Sequence, residues 1–167
     1  MASKAVSCML LSINTILYFI VIVAASWAVN HGIVKSRETA SVLPMPARIF
    51  PIYFPFGNLA TGFLIIYSLL AGIVGFITSL NGLHNLAQWD SASQHVAAAS
   101  SLISWLLTLL AMGLACKEIS IGWTDSNLRT LETVLIILSG TQLFCTGAIH
   151  IRVEEVVRSE MEIGGRV

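Results

Sequence analysis

Charge is scarce in this chain and missing altogether from long parts of it. Asp, Glu, Lys and Arg make up only 11 % of the 167 residues, against the roughly 25 % usual in soluble domains. Residues 6–29, 59–80, 96–116 and 133–151 contain none of the four. Nor is there an excess of either sign: nine basic residues balance nine acidic ones, so the chain carries no electrostatic footprint for nucleic acid, which is excluded as a partner. Cysteine is sparse as well. Cys8, Cys116 and Cys145 fall in or at the ends of the apolar stretches, which excludes a disulfide framework in the loops and points to buried, mostly inert thiols. No Asn-x-Ser/Thr sequence occurs, so glycosylation gives no guide to orientation.

What is present is hydrophobic length. With 56 % apolar residues and a mean hydropathy of +0.82, the chain lies far from soluble composition. Each charge-free stretch approaches the 20 or so residues that a helix needs to cross about 30 Å of hydrocarbon. Inside lipid every backbone amide must be satisfied within its own segment, and a barrel strand would alternate with polar residues. The fold class is therefore all-α, an integral membrane four-helix transmembrane bundle. Its transmembrane domain covers residues 1–152, with helices at about 6–29, 59–80, 96–116 and 133–151, and residues 153–167 form a short charged C-terminal tail. The bilayer is its first partner.

The first stretch imitates a cleavable signal through Lys4 and the small residues Ala24, Ala25 and Ser26. Its length and the following Trp27, placed as an interfacial anchor, favour a retained helix. Basic residues divide almost evenly between the two sides of an even-numbered bundle. We expect both termini to be cytoplasmic, because Lys4 is joined by the free amine and the tail reads as a solvated helical extension that Gly164 and Gly165 stop. The connection 30–58 is polar in its first half. Its second half, Arg48 to Phe56, is aromatic and interrupted by proline, a pattern for an interfacial cap or a lid. The next connection, 81–95, carries His84, Asp90 and His95 at spacings that match no helical metal-ligand pattern, so no metal site is expected.

Small residues decide helix packing where apolar side chains gain nothing by leaving lipid. Ser68, Gly72, Gly75 and Ser79 form one such stripe, and Ser100, Ser104 and Thr108, continued by Ala111 and Ala115, form another. They nominate the second and third helices as the centre of the bundle. No internal repeat of the kind that builds many transporters is found.

Strongly polar side chains within the spans are few: Asn14, Gln142 and His150. Asparagine and glutamine tie helices together through hydrogen bonds and are also the default functional candidates. None has a carboxylate beside it in sequence, so no catalytic constellation emerges and neither an enzyme nor a cofactor is expected. With the spans empty of charge, no acid or base is left inside the bundle for ion coupling. Lys117, Glu118, Arg129 and Glu132 flank a short connection between antiparallel helices. They form either a salt-bridged staple or a basic entrance for an anion beside an apolar cavity.

The same region carries a family resemblance. Ala115-Cys116-Lys117-Glu118-Ile119 with Gly122, then Leu128-Arg129-Thr130-Leu131-Glu132 and Thr141-Gln142, resemble the signature of the AWPM-like family of plant plasma-membrane proteins. Ala25-Ser26-Trp27 with Asn30, Gly57 to Gly62, Gly82-Leu83-His84, Trp89 and Ala97 to Ser101 with Trp105 agree with it, so the similarity covers all four spans. The resemblance implies a plant plasma-membrane protein of abscisic-acid, dehydration and seed-maturation responses, with uptake of abscisic acid or a similar weak acid as its activity. The alternative is a non-transporting tetraspan that organises or stabilises membrane, as a homo-oligomer or within a larger complex. Tentative ligand residues on the first reading are Asn14, Lys117, Glu118, Arg129, Glu132 and Gln142.

Overall fold

The computed structural model describes residues 2–42, 59–87, 91–122 and 126–164. They form four helices, α1 (Ala2–Val42), α2 (Leu59–Ala87), α3 (Ser91–Ile121) and α4 (Ser126–Gly164). All are long enough and apolar enough to cross a membrane, over Ala5–Val34, Ala60–Leu86, Gln94–Ile121 and Ser126–Ser159.

Every helix outruns the charge-free stretch that announced it, because charge bounds a hydrophobic run and does not end a helix. The polar first half of the connection 30–58 continues α1 as far as Val42. The connection 81–95 largely disappears, since α2 runs to Ala87 and α3 starts at Ser91. The tail continues α4 without a break to Gly164. Arg48 to Phe56, Trp89 and Asp90 lie outside the described residues. At its C-terminal end α3 stops on Gly122, whose φ of 81° is the left-handed conformation that glycine adopts without strain. Its N–H reaches back to the carbonyls of Glu118 at 3.3 Å and Ile119 at 3.2 Å, capping the last turn.

The helices run up, down, up and down in a ring. Each packs along its two chain neighbours, and α4 closes the ring against α1. Diagonal pairs barely meet, so α2 and α3 are not a central pair, as their small-residue stripes had suggested. The α2 stripe instead admits α1: Gly72 lies against Val21 and Ile22, and Gly75 lies under the ring of Tyr18. Ser68, Gly72, Gly75 and Ser79 are all buried, whereas on α3 Ser104, Thr108, Ala111 and Ala115 are buried and Ser100 is only partly so.

Buried positions on α1 fall at Ser7, Leu11, Asn14, Tyr18, Val21, Ala25 and Ala28. Steps of four and three alternate along it, the 3.5-residue period of a left-handed supercoiled interface. The outside is the reverse of a soluble surface, with Ile16, Phe19, Ile66, Ile103 and Phe144 exposed to the surroundings, as lipid contact requires.

Candidate functional site

The seam facing the axis of the ring carries polar groups in layers. Deep in the bundle, the Asn14 amide of α1 donates to Gln142 Oε1 of α4 at 2.8 Å. Gln142 Nε2 donates in turn to the Ser101 carbonyl of α3 at 3.4 Å, and Thr146 donates to that same oxygen at 3.4 Å. Asn14 and Gln142 are both buried, which the spacing of these residues in the chain could not tell. Asn14 Oδ1 has no hydrogen-bond partner.

One turn further along α1, Tyr18 meets Thr108 across the ring, hydroxyl to hydroxyl at 2.9 Å. The Thr108 proton is committed to the Ser104 carbonyl at 2.8 Å, so Tyr18 is the donor in this pair. Ser104 bonds Thr78 of α2 at 2.6 Å, completing a polar layer across α1, α2 and α3. Beyond it the axis is apolar. Val21, Ala25, Leu64, Ala111, Leu135 and Leu138 fill it with side chains that are fully buried.

Each end of the axis holds a buried ionisable group. At the end where α2 starts and α3 finishes, Glu118 is fully buried and its Oε1 accepts the Thr61 hydroxyl at 2.6 Å. Its Oε2 is buried without a partner. Glu132 is also buried and lies within electrostatic reach of Glu118 and Arg129. Lys117 and Arg129 face outward. The four charges of this turn are thus sorted, acids inward and bases outward. At the opposite end, where the termini lie, Arg152 is only 6 % exposed and its Nη1 is buried with no partner.

Two small cavities lie between the Arg152 end and Gln142. The outer one is lined by Ser7, Asn85, Gln94 and Arg152 among apolar neighbours, and the inner one by Thr78, Ser79, Ser101 and Gln142. They share Leu11, Gly82, Ala97 and Ile149 as walls. Each leaves about 10 Å³ of free space, about enough for one water molecule.

The expectation that no acid or base lies inside the bundle therefore needs correction. Glu118 and Arg152 sit at the edges of charge-free stretches, but helical phase turns them inward. Glu118 continues the buried series Ser104, Thr108, Ala111, Ala115, and Arg152 continues Leu138, Gln142, Cys145, Ile149. Extending those stripes by one step would have found both. Tyr18, which the sequence offers as one aromatic among many, had no such signal.

The arrangement of charge-flanked spans and small-residue seams has relatives. The model of the AWPM-19-like family matches residues 12–152, taking in all four spans and every layer of the axis from Asn14 to Arg152. The chain belongs to the AWPM-19-like family. It is 41 % identical over 142 residues to a rice protein described as membrane protein PM19L, covering 84 % of this chain and 75 % of the rice protein. No solved structure matches it. This AWPM-19-like protein is thus a multi-pass plant membrane protein, and the family region takes in its polar axis.

Proposed function

We propose that this AWPM-19-like protein facilitates uptake of abscisic acid or a similar small weak acid across the plant plasma membrane, in stress and seed-maturation responses, without catalysing a reaction. One observation carries the reading: two neighbouring cavities with shared walls lie between the buried Arg152 guanidinium and Gln142, the partner of Asn14 deep inside the bundle. A weak acid is a carboxyl group on an apolar body, and a polar half-path with a cation at one end suits it. The path is closed beyond Gln142 by Tyr18 and the apolar layer, so passage needs the Tyr18 ring to move. Burying an isolated carboxylate is prohibitively costly, so the solute crosses that layer as the neutral acid. With both termini cytoplasmic, it passes from the Glu118 end to the Arg152 end, where the ionised form finds its counter-charge.

The test is uptake of isotope-labelled abscisic acid into liposomes holding this protein alone. Protein-dependent uptake should rise as the outside is acidified, and Gln142→Leu should reduce it. Uptake equal to that of empty liposomes at every pH would defeat the proposal. It would favour the second reading, a non-transporting tetraspan acting as a homo-oligomer or in a larger complex, which the water-sized cavities support.

A further inference from the structure

Arg152 presents a problem of charge balance. Its guanidinium is permanently protonated and 94 % of its surface is withdrawn, the complement of its 6 % exposure. Its Nη1 is buried with no hydrogen-bond partner. Glu154 and Glu155, the acids nearest in sequence, are exposed, and among the described residues no acidic side chain lines the cavity into which Arg152 is set. A buried guanidinium nitrogen whose N–H groups have no acceptor is unfavourable and favours an oxygen that can accept from it. What does line the cavity is the Gln94 amide, itself buried, together with the apolar walls Leu11, Leu86 and Ile149.

We propose that Arg152 anchors an oxyanion site at the terminal end of the bundle. It takes an oxygen of a carboxylate or phosphate while the apolar part of the ligand stays along Leu11, Leu86 and Ile149. The free space of about 10 Å³ admits an oxygen and not a whole solute, so the ligand reaches in from outside with its head group. The planar guanidinium suits such a group, because it donates two parallel hydrogen bonds to carboxylate or phosphate oxygens. Gln94 supplies a further N–H donor. Arg152 lies one residue beyond the charge-free stretch 133–151, towards the end of the bundle where the termini lie. The inference goes beyond the permeation reading, since an oxyanion can dock here whether or not any solute crosses.

The experiment uses the full chain purified in an uncharged maltoside detergent, with thermal unfolding followed by tryptophan fluorescence. One arm adds benzoate, with neutral benzamide as its control. The other adds phosphatidylglycerol to the micelles, with phosphate-free diacylglycerol as its control. The wild-type melting point should rise by about 2 to 4 °C in at least one arm and in neither control. A shift with benzoate alone assigns the site to free acids, and one with phosphatidylglycerol alone assigns it to lipid. Arg152→Gln should weaken apparent affinity at least tenfold, Arg152→Lys and Gln94→Leu should weaken it several-fold, and Ser120→Ala, exposed at the far end, should leave it unchanged. No shift in either arm, or an undiminished shift in Arg152→Gln, overturns the site. If Arg152→Gln does not fold, unchanged affinity in both Arg152→Lys and Gln94→Leu overturns it instead. Binding at Arg152 without uptake into liposomes would defeat only the permeation reading, and uptake with no melting shift in either arm only this one.

Discussion

The amide pair in the middle of the bundle shows how one side chain's value depends on its partner. Asn14 donates to Gln142 at 2.8 Å in a place that water does not dominate, so removing one partner strands the other. Gln142→Leu should lower stability by about 1 to 3 kcal/mol, chiefly because the buried Asn14 amide loses its acceptor. The paired change Asn14→Leu with Gln142→Leu removes both polar groups and should recover most of that loss. Thermal unfolding of the single and double variants checks this. If the pair serves passage as well as packing, the double variant will be stable and inactive in liposomes; if it serves packing alone, uptake will return with stability.

Within the helices, the same substitution has opposite effects according to what faces it. A methyl group on Gly75 would overlap the Tyr18 ring, so Gly75→Ala should destabilise by about 1 to 3 kcal/mol through overpacking. Gly113 and Gly147 have nothing within 4 Å of an added Cβ, and alanine there should stabilise by about 0.5 to 1 kcal/mol by restricting the unfolded backbone. Gly122 also has open space around it but carries a φ of 81°, so Gly122→Ala should cost about 1 kcal/mol through backbone strain alone. Ranked melting points of the four variants test all three mechanisms together.

The spans were legible because a membrane helix must be apolar for its whole crossing, and nothing else in the chain has that property. The extension of α1 was not, since the polar run after Val34 is helical for reasons that hydropathy does not register, whereas the tail after Ile151 reads as a helical extension and continues α4 to Gly164. The small-residue seams identified close approach without naming the partner. Gly75 could have faced any neighbour, and only the ring order assigns it to Tyr18 on α1.

At the scale of the molecule, an even number of crossings puts both ends of the chain on one side. Epitope tags at the N- and C-termini should both be protected from protease in right-side-out plasma-membrane vesicles and both be cut after permeabilisation; protection of one tag alone would contradict the four-span ring. The sequence disclosed the number of crossings and the presence of Asn14 and Gln142 within them. The ring closure of α4 on α1, the inward turn of Glu118 and the burial of Arg152 needed the packed structure, because charges at the edge of a span look the same whether they snorkel outward or turn in.

The two inward groups lie at opposite ends of the axis, a guanidinium near the termini and a carboxyl where α3 finishes. When the carboxyl is ionised they form a fixed electric dipole along the membrane normal. A transmembrane voltage acts on such a dipole directly, by about 2.3 kcal/mol for each elementary charge carried across a full 100 mV drop. In the proposed orientation, termini inside, an inside-negative potential would hold each charge at its own end, and depolarisation would relax that hold. Buried charges of opposite sign at the two ends of the axis would thus make the bundle responsive to the electrical state of a membrane it spans.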